Sequence, residues 1–226
     1  ILFLSLLAAT ALSFLAVKAQ QSDSDQYAQA HLLLGDLRQL DTGINEETLK
    51  ARLGIITDYS RLQNLYERQH VLVRRLQSDA NSFTLHPTPA AEQALVDFLA
   101  SSTRKEDLSK RFQGHNTLLR DSINMVPIAN QDFLRSLPGQ WYQELLNPTR
   151  ELTKEILEYA ANPLAGNAFV AQVWIDQLEE RRGSLDISIQ ELLDVLLHHV
   201  NVVLEEKGQT DDLLLELLAI DTPRQL

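Results

Sequence analysis

The chain has 226 residues, with 8 Gly, 7 Pro, no Cys and a net charge of −11. A chain of this length buries a substantial core, and so few turn-formers beside abundant Leu, Ala, Glu and Gln predict an all-α protein. The missing Cys excludes a disulfide scaffold, a thiol nucleophile and a thiolate metal site, while the acidic balance speaks against nucleic acid, which is held by neutralising its phosphates with Lys and Arg.

The charge is unevenly spread, with a net of −1 over residues 1–125 and −10 over 126–226. The chain opens on Ile1 to Val17, 17 residues without a charge, at the lower edge of what spans a bilayer. Two readings of residues 1–19 stay open. One is a transmembrane helix that continues into a stalk, and the other is a signal-peptide core cleaved after Val17-Lys18-Ala19. Under both, residues 20–226 form an exported helical domain.

From Tyr27 to Leu40 the spacing of Leu33, Leu37 and Leu40, with His31 and Asp36 beside them, predicts a stalk helix entering a bundle. The stretch Leu40 to Leu62, LDTGINEETLKARLGIITDYSRL, reads as a turn at Gly43, an N-cap at Asn45 and a helix with Glu46 and Glu47 on its first turn. Leu49, Leu53 and Ile56 give that helix its apolar stripe, and Arg52, Ile56 and Tyr59 share an adjacent face. It ends at Tyr59-Ser60. A further helix carries Leu65, Leu72 and Leu76 to about Ser78, locally basic through Arg61, Arg68, Arg74 and Arg75.

Pro87 and Pro89 end that helix, and Pro89 opens the next. Thr103 is expected to start a new helix, which runs through Phe112 and Leu119 to a stop at Pro127. Pro138-Gly139 resets the chain before a helix from Trp141 to Ala160, with Leu145, Leu152, Ile156 and Tyr159 on one face, closed by Asn162-Pro163. Three more follow, from about Asn167 to Arg182, Leu185 to Lys207 and Thr210 to Ile220, with Gly208 and Pro223 as stops. The near-heptad Leu185, Ile189, Leu192, Leu196, Val200 and Leu204 predict packing along nearly parallel neighbours. About eight helical segments result, with no strand-like alternation.

Two of these stretches carry a resemblance. Asp41, Leu49-x-x-Arg52, the Gly54-Ile55 pair and the break Asp58-Tyr59-Ser60-Arg61-Leu62 resemble, in this order, one signature of the double all-helical ligand-binding (DAHL) sensor domain of bacterial membrane receptors. The family's break carries a Pro that is absent here. Phe112 to Val126, FQGHNTLLRDSINMV, is similar to a second signature, with Asp121 where the family usually has Asn. The resemblance implies long antiparallel helices in an elongated pair of bundles, behind a membrane helix.

Chemistry is sparse. There is no Gly-rich phosphate loop, G-x-S-x-G elbow or H-E-x-x-H, so catalytic residues are expected to be absent. His198 and His199 are adjacent, about 100° apart on a helix and unsuited to one metal. Neither metal nor cofactor is expected. What remains is Asn116, Arg120 and Asn124 at i, i+4 and i+8, drifting about 40° per step, so that all three can face one neighbour. Arg52 and Tyr59 can meet them if the two signature helices are adjacent. That set of guanidinium, amide and phenol groups suits a small carboxylate or polar organic ligand. It equally suits a buried network that fixes the bundle's register, with Arg120 pairing beside Asp121 or with Asp58.

The expectation is an extracytoplasmic, periplasmic sensor domain anchored in the inner membrane, part of a transmembrane receptor of the histidine-kinase kind and homodimeric in that receptor. It would answer a small molecule or a periplasmic protein by shifting helices. The alternative is a membrane-anchored helical scaffold that binds another helical protein.

Overall fold

The computed structural model describes residues 32–82, 89–162 and 168–220. The apolar run at 1–17, His31, His86-Pro87, Pro163 and Pro223 lie outside the described residues. Among the described residues the chain forms six helices and no strand. They are α1 over residues 32–52, α2 Ser60–Ser82, α3 Pro89–Ser136, α4 Gly139–Ala161, α5 Phe169–Arg182 and α6 Ile187–Ala219. The all-α expectation holds.

The helices are fewer and longer than the sequence predicts, because the chain runs through four expected breaks. Gly43 and Asn45 lie inside α1 rather than at its start. Leu40 and Ile44 are buried on either side of Gly43, and a Cβ there would meet Leu65 of α2 at 3.5 Å, so close packing keeps the glycine helical. Thr103 lies inside α3, its hydroxyl donating back to the Leu99 carbonyl at 3.0 Å instead of capping forward. Pro127 also lies inside α3, where it removes one backbone bond. Val126 and Ala129 are buried beside it, and Phe133 is sealed one turn on. Gly208 lies inside α6, with Glu206, Lys207, Thr210 and Leu213 buried around it. A helical glycine costs about 1 kcal/mol relative to Ala, less than the packing of those neighbours returns.

Three expected breaks hold. Pro89 begins α3, Leu137-Pro138 separates α3 from α4, and α4 closes at Asn162, whose N–H donates to Glu158 O at 3.1 Å.

The helices fall into two compact units. One contains residues 32–46, 60–82 and 89–103, and buries Leu37, Leu40, Ile44, Leu62, Tyr66 and Phe98. The other contains residues 47–59 and 104–220, and α1 and α3 each contribute to both. In this second unit Leu119, Val126 and Phe133 of α3 share a core with Leu152 and Ile156 of α4, Ile175 and Leu178 of α5, and Leu193, Leu196 and Val200 of α6. Polar contacts set the register of α3 on α6. Lys105 Nζ donates to Ile220 O at 3.3 Å, His115 Nδ1 meets Glu206 Oε2 at 2.6 Å, and His199 Nδ1 lies 3.4 Å from Ser122 Oγ. Residue numbers rise on one helix as they fall on the other, so the two run antiparallel. By length and composition α6 could cross a membrane, and Ile189, Leu193, Leu196, Leu197, Val200 and Val203 of it lie in this core.

Candidate functional site

The site forms in the second unit where α1 ends. The apolar stripe expected there, Leu49, Leu53 and Ile56, is not the packed one: Leu49 and Leu53 are exposed and Ile56 is half-buried. Burial instead follows Glu47, Thr48 and Ala51, because α1 was in register from residue 32 rather than starting afresh at 45. Ala51 packs with Leu108 and Phe112 of α3 and Leu213 of α6. After residue 52 the chain leaves the helix and runs to Ser60 without regular structure, turning on Gly54 at a φ of +73°. Ile56 and Tyr59 therefore lie in a link, not on a helical face beside Arg52.

A helix end leaves backbone carbonyls without intrahelical partners. Here α3 supplies the donors. Asn116 Nδ2 donates to Ala51 O at 3.2 Å and to Tyr59 Oη at 2.9 Å. One turn on, Arg120 Nη1 donates to Ile56 O, with a longer contact to Ala51 O at 3.5 Å, and Nη2 reaches Gly54 O at 3.5 Å. A guanidinium at a helix C-terminus also meets the negative end of the dipole. Asn116 is fully buried, so this network is structural on its inner side.

Arg52 points elsewhere. Its Nε donates to Asp211 Oδ1 on α6 at 2.6 Å, with both side chains largely buried at 10 and 16 % exposure. Lys207 takes the other oxygen of Asp211 at 2.9 Å and stands 4.7 Å from the centre of the Tyr159 ring. Arg52 Nη2 is buried and finds no hydrogen-bond partner. Arg52 lines a cavity of about 330 Å³ together with Gly54, Arg120 and Asn124, and with Leu157, Ala160 and Ala161 of α4.

The five residues singled out from the sequence thus divide. Arg52, Arg120 and Asn124 share the cavity, whereas Tyr59 and Asn116 bond each other in the network that holds the α1 end. Arg120 belongs to both. Sequence reasoning missed Asp211, one acidic residue among many in the acidic half, and the small α4 residues Ala160 and Ala161 that leave the cavity room. The Lys207–Asp211 spacing of four was the one available signal.

Of the two adjacent histidines, His198 is exposed and His199 half-buried, their rings 5.3 Å apart edge to face. Burial, and secondarily the charge of His198, hold His199 below its ordinary value. Among the described residues no group of three or more His, Asp or Glu is placed to hold a metal ion.

Comparison with known proteins agrees with the two signatures. The family model for the DAHL domain matches residues 22–226, nearly the whole chain. No solved structure matches the chain.

Proposed function

We propose that this chain, which belongs to the DAHL domain family of sensor domains, is the extracytoplasmic sensor of a transmembrane receptor, foremost a histidine kinase, and binds a small molecule at the Arg52–Arg120 cavity. The observation that carries the binding site is that two guanidinium groups, Arg52 and Arg120, border one cavity.

On this reading residues 1–19 are the membrane helix, residues 20–226 lie in the periplasm, the receptor is a homodimer in the inner membrane, and phosphotransfer belongs to a cytoplasmic part. The stimulus would travel by a biased equilibrium between two packings of α6 on α3. The polar contacts along that helix pair suit the role, because a small slip exchanges hydrogen-bond partners without opening the apolar core. A thermal-shift screen of acids, amines and neutral compounds on the full chain tests the reading. A ligand at a hundred times its dissociation constant adds about 2.7 kcal/mol to the folded state, so a saturable rise in Tm from at least one compound is expected. No rise from any class contradicts a small-molecule sensor and favours the scaffold that binds another helical protein.

A further inference from the structure

We infer that the ligand of this cavity is a small monocarboxylate with a short apolar body. The inference rests on the sensor reading above and names the ligand class. Two guanidinium groups, Arg52 and Arg120, border the space. The Arg52 side chain is nine-tenths buried and fixed through Nε by Asp211. Arg120 Nη2 touches only Gly54 O at 3.5 Å, the outer limit of a hydrogen bond. Two guanidinium groups on one cavity suit one carboxylate, the anion that Arg binds best.

Charge selects the same chemistry. Arg120 bonds only backbone carbonyls among the described residues, and Asp211 divides its oxygens between Arg52 and Lys207. The guanidinium groups therefore outnumber the carboxylate beside them, and an amine would meet repulsion. A neutral alcohol would leave the excess charge unanswered.

The opposite wall decides the rest of the molecule. Leu157, Ala160 and Ala161 offer no side-chain donor, so a second carboxylate pointing that way would be desolvated without a partner. An alkyl chain or a ring fits there instead. At about 330 Å³ the space lies at the small end of ligand pockets. Asn124, exposed beside it, can hydrogen-bond a polar substituent next to the carboxylate.

The test is a titration of the full chain with hexanoate and benzoate, against 1-hexanol, hexylamine and the dicarboxylate adipate, read by calorimetry and Tm. Saturable binding of a monocarboxylate is expected, with hexanol, hexylamine and adipate weaker by at least about tenfold, which is 1.4 kcal/mol. Arg52→Gln should weaken monocarboxylate binding by about tenfold or more. Ala161→Leu keeps every charge and fills the space from an exposed position, so it should abolish binding and leave the unliganded Tm unchanged. Monocarboxylate binding that Ala161→Leu leaves intact would place the ligand elsewhere and overturn the inference. So would hexanol or hexylamine binding as tightly as hexanoate, or no binding by either monocarboxylate. In those cases a hit from another chemical class in the broader screen keeps the sensor reading and rejects only the carboxylate, whereas silence across every class rejects both.

Discussion

Arg52 and Asp211 meet at 2.6 Å, Nε to Oδ1, and so join the last turn of α1 to the C-terminal half of α6 across a largely buried ion pair. Asp211 also holds Lys207. Its removal takes the carboxylate from the buried Arg52 guanidinium. Asp211→Asn is expected to cost on the order of 3 to 5 kcal/mol, the usual result of breaking one side of a buried pair, measured by chemical denaturation. A change within about 0.5 kcal/mol, the range of an ordinary surface substitution, would show the pair to be solvated.

Two glycines test how the chain runs through and out of its helices. Gly54 has a φ of +73°, where a side chain costs about 1 to 2 kcal/mol, so Gly54→Ala should destabilise by that amount and disturb the carbonyls around Arg120. Gly208 sits inside α6 with open space where a Cβ would go. Gly208→Ala should therefore stabilise by about 0.5 to 1 kcal/mol. Were α6 to end at Gly208 in a left-handed cap, the same change would destabilise.

What the sequence reveals follows from what each signal measures. Pro138-Gly139 and Asn162 mark true ends, as their local signals predict. Gly43, Thr103, Pro127 and Gly208 carry equally strong local signals, yet apolar residues on both sides keep one helical phase and pack against neighbours, which no local rule weighs. The same holds at the site. The spacing of Asn116, Arg120 and Asn124 places them on one side of α3, but whether each faces a link or a cavity depends on where α1 stops, and Gly54 decides that. Asp211 gains its role only when α6 comes beside α1.

Acidification should weaken the fold at His199. Burial holds its folded value below the ordinary 6.5, so as pH falls the unfolded chain takes up this proton first. The stability gained by keeping His199 neutral is complete above about pH 6.5 and is lost on acidification, until the folded imidazole also protonates. His199→Gln should therefore lose less Tm than the wild type between about pH 7.5 and 5.5. Parallel losses would remove His199 from the account. The His115–Glu206 pair is common to both proteins and cancels in the difference.

Topology follows from the apolar run at residues 1–17. If it anchors the chain with the helices exported, a reporter fused after Leu226, with no further membrane segment, should be active only outside the cytoplasm. Cytoplasmic activity would contradict the extracytoplasmic placement.

The central claim is that filling the cavity shifts α6 against α3. The absence of Cys makes this directly measurable, since two introduced thiols are the only ones to label. Asp121 on α3 and Leu215 on α6 are exposed. With Asp121→Cys and Leu215→Cys spin-labelled in the full chain, the distance distribution is recorded by electron–electron double resonance without ligand and with saturating hexanoate. A change in the mean, or transfer of population between two maxima, is the predicted result. One unchanged distribution at demonstrated saturation would contradict a signal carried by displacement of α6.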